Sequence, residues 1–452
     1  MQKLVLYAVM ITSFVGAFVG SGINVAVPSI GHEFDAGAGD MSRFVSAYMF
    51  GSAIFTLPLG KAADILGRKK LYKIGITLFA ITLIIAGFSQ SVEFLTTIRF
   101  LQGGFMAMVF GPGMAVLVSV YDKSMRGKIL GYSTAAVYVG LTCGPALGGL
   151  ICTYIGWRWF FFLTGAIAAL GLVFLARVKE EWYGEKGAPF DYKGSLCYMM
   201  MAPLLLYGFS EISSQEIGLY LFLLGIAGFF LFVYIEGKTR FPMLDVNLFV
   251  GNRGFSCSNL AAMLHYAATF ATSFLLAVYL QVICGLGAAE SGLILLLQFV
   301  MMALLSPAAG ALSDRIDPGK VASVGMGINC IGLAVLSLLD QESSLLLVGG
   351  VLIAIGIGFA LFASPNNNAI LSSIPSQYYG TASSMLAAMR IIGQALSMAI
   401  VTIVMDVNAV KSMTGDDNDG LLLAMQVTYR ICAVICMAGV VASLIRGKNK
   451  MA

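Results

Sequence analysis

Gly60-Lys61-Ala62-Ala63-Asp64-Ile65-Leu66-Gly67-Arg68-Lys69-Lys70 interrupts an apolar stretch of the chain, and Gly310-Ala311-Leu312-Ser313-Asp314-Arg315-Ile316-Asp317-Pro318-Gly319-Lys320 repeats its plan 250 positions later. Both carry a glycine, an aspartate four residues on, and a basic end. Each separates two apolar runs of roughly 20 residues, long enough at about 1.5 Å per residue to cross a hydrocarbon layer of about 30 Å. A short charged loop recurring between spanning helices points to a duplicated helical bundle in a bilayer.

The rest of the chain agrees. Of 452 residues 59% are hydrophobic and 11% charged, with a mean hydropathy of +0.88. That leaves too little polar surface to coat a water-soluble globule of this size. Turn and charge clusters divide the sequence into fourteen apolar spans, the seventh and eighth near residues 194–211 and 217–236. The first run, from about Leu4 to Pro28, is too long for the apolar core of an export signal and lacks a small-residue cleavage site, so it reads as a retained helix. The eight cysteines lack metal or disulfide-framework spacing and read as small buried residues.

Charge sets the expected orientation. With a cytoplasmic N-terminus, twenty-one lysines and arginines fall in inner loops, and only Arg43, Arg158 and Lys411 fall outside. The positive-inside rule then puts both termini in the cytoplasm and requires an even number of spans. Arg99, Arg390 and Arg430 remain within spans, where each needs a partner, a cavity or a route to the interface.

With these residues in view, a family emerges. Gly60, Asp64, Gly67, Arg68 and Lys69 resemble the signature between helices two and three of the major facilitator superfamily, echoed by Gly310, Asp314 and Arg315. Small residues let helix ends approach, and the aspartate accepts bonds from a cation or a helix N-terminus, so the resemblance implies a gate. Arg99 with Gln102, Gly103 and Gly104 resembles the fourth-helix motif, whose arginine is associated with proton transfer. Gly140, Gly144, Pro145, Gly148 and Gly149 resemble the fifth-helix motif of the antiporter branch. Glycines four apart give a smooth packing face, and Pro145 is expected to bend the helix. Asn24-Val-Ala-Val-Pro28, the stretch from Gly380 through Arg390 to Gly393, and the span count extend the resemblance over the whole chain, to the drug:proton antiporter family with fourteen helices.

One departure bears on substrate. Exporters of cationic drugs in that family usually carry an aspartate five residues before Asn24, where this chain has Val19. Glu211, Glu290 and Asp406 are the acids nearest the spans, and each falls near an outer helix end. Mid-span positions hold Arg390, Arg430 and His265 instead. Such a cavity disfavours lipophilic cations and accepts anions or neutral solutes. His265 either carries a proton near neutral pH or packs as a neutral ring. Asn366, Asn367 and Asn368, after Pro365, either bind substrate in a water-filled cavity or cap a broken helix.

The expected fold is all-α and integral to the membrane: a major facilitator fold with a six-helix bundle in residues 1–180, two linker helices in 181–252 and a second bundle in 253–452. The resemblance implies a secondary transporter, a proton-coupled antiporter exporting an amphiphilic small molecule from a bacterium through its cytoplasmic membrane. Carriage of a specific metabolite, an organic anion or a siderophore-like compound is the alternative. A polytopic enzyme or sensor finds no support, because GxxxxGK[ST], HExxH and GxSxG patterns are missing from the sequence. Expected partners are a small-molecule substrate, protons and membrane lipid, with no nucleic acid, no cofactor and no metal, for a monomer driven by the proton gradient. Proton-coupling candidates are Arg99, Gln102, His265 and Glu211. Cavity candidates are Asn24, Gln281, Asn366, Asn367, Arg390 and Arg430.

Overall fold

The computed structural model describes residues 1–210, 216–407 and 418–446. Among them there is no strand. In the first half, α1 (Gln2–Glu33), α2 (Ala38–Leu66), α3 (Arg68–Gly87), α4 (Val92–Val120), α5 (Arg126–Tyr154) and α6 (Trp157–Ala176) pack on one another. A hairpin of α7 (Tyr192–Ser210) and α8 (Glu216–Lys238) follows, then the short α9 (Val246–Gly251). In the second half α10 (Arg253–Thr269) leads into α11 (Thr272–Val278), and then come α12 (Ala288–Arg315), α13 (Pro318–Leu336), α14 (Leu345–Ser372), α15 (Tyr379–Val407) and α16 (Asn418–Ile445).

Thirteen helices among the described residues are long and apolar enough to cross a membrane. The expected seventh span, α7, is outside that set, because Lys193, three tyrosines and Pro203 dilute its apolar run. It nonetheless packs antiparallel along α8, with Gly208 against Phe222 and Gly225 against Leu205.

Local sequence explains where helices begin. Ser91, Asn252 and Ser344 cap α4, α10 and α14 through side-chain oxygens, and Asp317 caps α13 ahead of Pro318. Small residues decide which helices touch. Gly140, Gly144 and Gly148 of α5 lie against Phe14, Ala17, Phe18, Ser21 and Gly22 of α1, and a Cβ on Gly144 would stand 2.0 Å from the Ser21 Oγ. Gly149 faces Val25 at the edge of the same contact. Helix α5 continues through Pro145, and α14 continues through Pro365. The broken helix expected at Pro365 is therefore a correction. All eight cysteines are free, and three of them, Cys330, Cys432 and Cys436, are fully buried while the others are half-buried.

Contacts between the halves run along two seams. Helix α2, with α4, meets α15; α5 meets α12 and α14. The hairpin lies beside the first seam, where the Tyr198 hydroxyl donates to the Ala53 carbonyl at 3.0 Å.

Candidate substrate chamber and gate

The repeated loops close the seams at the end of the molecule where α1 begins and α16 finishes, here the basic end. At the first seam Asp64, 1% exposed, accepts from the backbone N–H groups of Gly380 at 3.1 Å and Thr381 at 2.8 Å and from the Thr381 hydroxyl at 3.1 Å. Those amides open α15, so the carboxylate sits on a helix N-terminus belonging to the other half. Arg68 donates to Asp64 at 2.7 Å, to Ser119 at 3.0 Å and to the Ser376 carbonyl at 2.7 Å.

The second seam mirrors the first. Asp314 accepts from the N–H groups of Gly127 at 2.6 Å and Lys128 at 2.9 Å, at the start of α5. Arg126 reaches across to the Tyr379 hydroxyl at 2.6 Å and the Leu371 carbonyl at 3.3 Å. Glycines make both closures possible: a Cβ on Gly310 would stand 2.1 Å from the Gly127 carbonyl, and one on Gly60 or Gly111 would strike Ser384.

The remaining loop residues serve the first half alone. Lys69 donates through Nζ to the carbonyls of Val178 and Lys179, and its N–H reaches Glu181 at 2.8 Å. Gly67 has φ +113°, a left-handed conformation that favours glycine, and it lies against the Glu181 carboxylate. Arg315 is exposed.

Two of the asparagines belong to the packing at this end. Asn368 donates to the Ser313 hydroxyl at 3.0 Å and toward Asp314 at 3.4 Å. Asn366 bonds the Ser258 carbonyl at 3.2 Å and accepts from Arg446. Asn366 and Asn368 thus join helices at the basic end rather than lining a cavity, and Asn367 between them is half-buried.

Deeper in, Arg390 is half-buried on α15, about 16 Å from its start at the helical rise. Its guanidinium stands 5.2 Å from the ring centre of Phe110, and Gly393, one turn beyond it, lies against Tyr266. Tyr138 and Tyr266 both pack on Phe359, at 6.5 and 6.2 Å between ring centres. One guanidinium and an aromatic wall from α4, α5, α10 and α14 therefore meet between the halves. Among the described residues no carboxylate pairs with Arg390.

Arg99 does not snorkel. It is 1% exposed, donates to Gln102 at 3.1 Å and lies 4.6 Å from the Tyr48 ring centre. Gln102 in turn donates to the Thr82 carbonyl at 3.1 Å. His265 is fully buried, stacked on Phe362 at 3.9 Å, and neither ring nitrogen has a hydrogen-bond partner. Arg430 is exposed, on the α16 face that also presents Val434, Met437 and Val441. That is an outward, lipid-type face, so Arg430 stands apart from the chamber. Asn24 and Gln281 are exposed toward the end opposite the gate, and Glu211 lies outside the described residues.

A model of the Major Facilitator Superfamily matches residues 9–255 and 259–450. The chain belongs to that superfamily. It is 28% identical over 450 residues to the Riboflavin transporter RibZ of Clostridioides difficile, covering 98% of this chain and 96% of that one. It is 29% identical over 385 residues to the Multidrug resistance protein Stp of Mycobacterium tuberculosis, covering 84% of this chain and 71% of the relative. Among solved structures, the human organic anion transporter MFSD10 (TETRAN) aligns over 96% of this chain and 98% of its own with a TM-score of 0.65 at 13% identity, a likeness of fold. This superfamily member is therefore a transporter rather than an enzyme, with two six-helix bundles and an intervening pair of helices.

Sequence reasoning overlooked Tyr48, Tyr138, Tyr266, Arg126 and Tyr379. A signal existed for the first three, because tyrosine concentrates at membrane interfaces and these lie well inside long spans.

Proposed function

We propose that this superfamily member exports an amphiphilic small molecule from a bacterial cell across the cytoplasmic membrane, in exchange for protons. Both termini and the gated basic end face the cytoplasm. The observation that carries the reading is the pair of mirrored closures, Asp64 on the start of α15 and Asp314 on the start of α5, at one end of the two seams between the halves. Two related closures at one end fit a site between the halves that is reached alternately from either side. The multidrug and riboflavin carriers among its relatives support a small organic solute. Coupling follows if solute and proton favour opposite gate states, since each ligand shifts the equilibrium by its differential affinity.

The test is flux into inverted membrane vesicles carrying the full chain. Riboflavin and ethidium serve as first probes, the former because a relative is named for it. Accumulation of either should appear when a proton gradient is imposed and vanish when an ionophore collapses it. Accumulation indifferent to the ionophore rejects proton exchange.

A further inference from the structure

We infer that the Arg390 chamber selects planar aromatic solutes bearing a negative charge, with the ring among the tyrosines and the anion on the guanidinium. The inference deepens the transport reading and rests on it for the role of the chamber.

The charge balance argues first. A guanidinium at mid-depth of a bilayer protein survives where a cavity, a partner or a ligand replaces its hydration. The buried carboxylates in the described residues lie elsewhere. Asp64 and Asp314 are committed to the gate, and Asp191 and Glu236 sit by the start of α7 and the end of α8. Arg99 adds a second buried positive charge in the first half, over the Tyr48 ring, with Gln102 as its hydrogen-bond acceptor. The Tyr48 hydroxyl beneath Arg99 is buried and has no hydrogen-bond partner among the described residues. The chamber carries a positive field that an anion relieves and a cation worsens.

The shape argues second. Rings from both halves converge: Phe110 and Tyr138 from the first, Tyr266 and Phe359 from the second. Rings that meet edge-on or tilted at 6.2–6.5 Å, beside a guanidinium 5.2 Å from Phe110, suit a flat π-system, which gains from stacking and edge-to-face contacts. Gly393, one turn beyond Arg390, brings the α10 backbone close: a Cβ there would stand 2.4 Å from the Met263 carbonyl and 2.9 Å from the Tyr266 Cβ. That contact fixes Tyr266 beside the guanidinium. A carboxylate or similar anion meets a planar donor that bonds it through two N–H groups.

The experiment is equilibrium binding to the purified full chain in nanodiscs, read by fluorescence anisotropy with no gradient present. Fluorescein, a planar anion, is compared with rhodamine 123, a cation built on the same ring system. The intact chain should bind fluorescein at least tenfold more tightly than rhodamine 123. Arg390→Gln should erase that preference, Arg390→Lys should restore part of it, and Arg430→Gln on the outer face of α16 should leave it unchanged. Equal binding of the two dyes by the intact chain, or preference for the cation, overturns the inference without any variant having to fold. Retention of the full preference in folded Arg390→Gln overturns it as well. Failure of the two readings is distinguishable. Anion-selective binding without gradient-driven flux sinks proton exchange alone, whereas gradient-driven flux confined to cations sinks this inference alone.

Discussion

The two closures at the basic end share a backbone plan and differ in chemistry. At the first, Asp64 holds three donors on α15 while Arg68, 2% exposed, is buried against it. At the second, Asp314 holds two amides on α5, and the position four residues on, where Arg68 stands in the first repeat, is Pro318. Among the described residues no cation bonds Asp314: the amide of Asn368 approaches it, and Arg126 bonds Tyr379 and Leu371 instead. Duplication preserved the carboxylate on a helix N-terminus and let the neutralising group drift. The first closure is thus a buried ionic knot whose parts depend on one another, and the second is a charge-assisted contact with a neutral neighbour.

The largest effect should come from Asp64→Asn. The substitution keeps the shape but leaves Arg68 buried without its carboxylate, which destabilises the closed gate by about 3–5 kcal/mol. Amide hydrogen exchange at residues 379–384 should accelerate a hundredfold or more. Unchanged exchange there would show that the ion pair is incidental.

Asp314→Asn should cost less, about 2 kcal/mol, because it weakens hydrogen bonds without stranding a buried arginine that was bonded to it. Exchange at residues 127–130 reports it. A greater loss than at Asp64 reverses the ranking of the two closures.

The smallest effects concern how α3 and α13 begin. Helix α3 starts at Gly67 with φ +113° and no side-chain cap, whereas α13 starts at Asp317, which accepts from Gly319 at 2.7 Å. Gly67→Ala should cost about 1–2 kcal/mol through backbone strain, and Asp317→Ala about 1 kcal/mol through the lost cap. Thermal unfolding of the two variants in the same detergent checks the order. A more damaging Asp317→Ala would mean that α13 depends on its cap more than α3 depends on its turn.

The spans other than α7, and the repeated loops, are legible in the sequence because each rests on local signals: apolar length, clustered loop cations, and an aspartate four residues after a glycine. The asparagines are not. An amide in an apolar helix looks the same whether it faces a solute or a neighbouring helix, and the partner of Asn368, Ser313, lies 55 positions away. Arg390 and Arg430 show the same limit. Both sit at mid-depth in apolar sequence, and in a membrane protein the lipid side and the core side are equally apolar, so periodicity cannot tell which way a helix is turned. Only packing separates them: Arg390 meets Phe110 across the seam, while Arg430 shares a face with the exposed Val434 and Met437. The aromatic wall escaped for a related reason, since its rings come from four helices, from Phe110 to Phe359.

The hairpin of α7 and α8 makes the molecule lopsided. It backs one seam, pinned to α2 by Tyr198, and it borders a small apolar crevice of about 110 Å³ lined by Tyr198, Leu205, Phe222, Ile391 and Leu396. The seam of α5 and α12 has no such backing from α7 or α8 among the described residues. Rocking of the halves would shear the hairpin on one flank and meet only lipid on the other. The protein thus presents two different sides to its bilayer, one braced like a door on its hinge post and one free like the door's swinging edge.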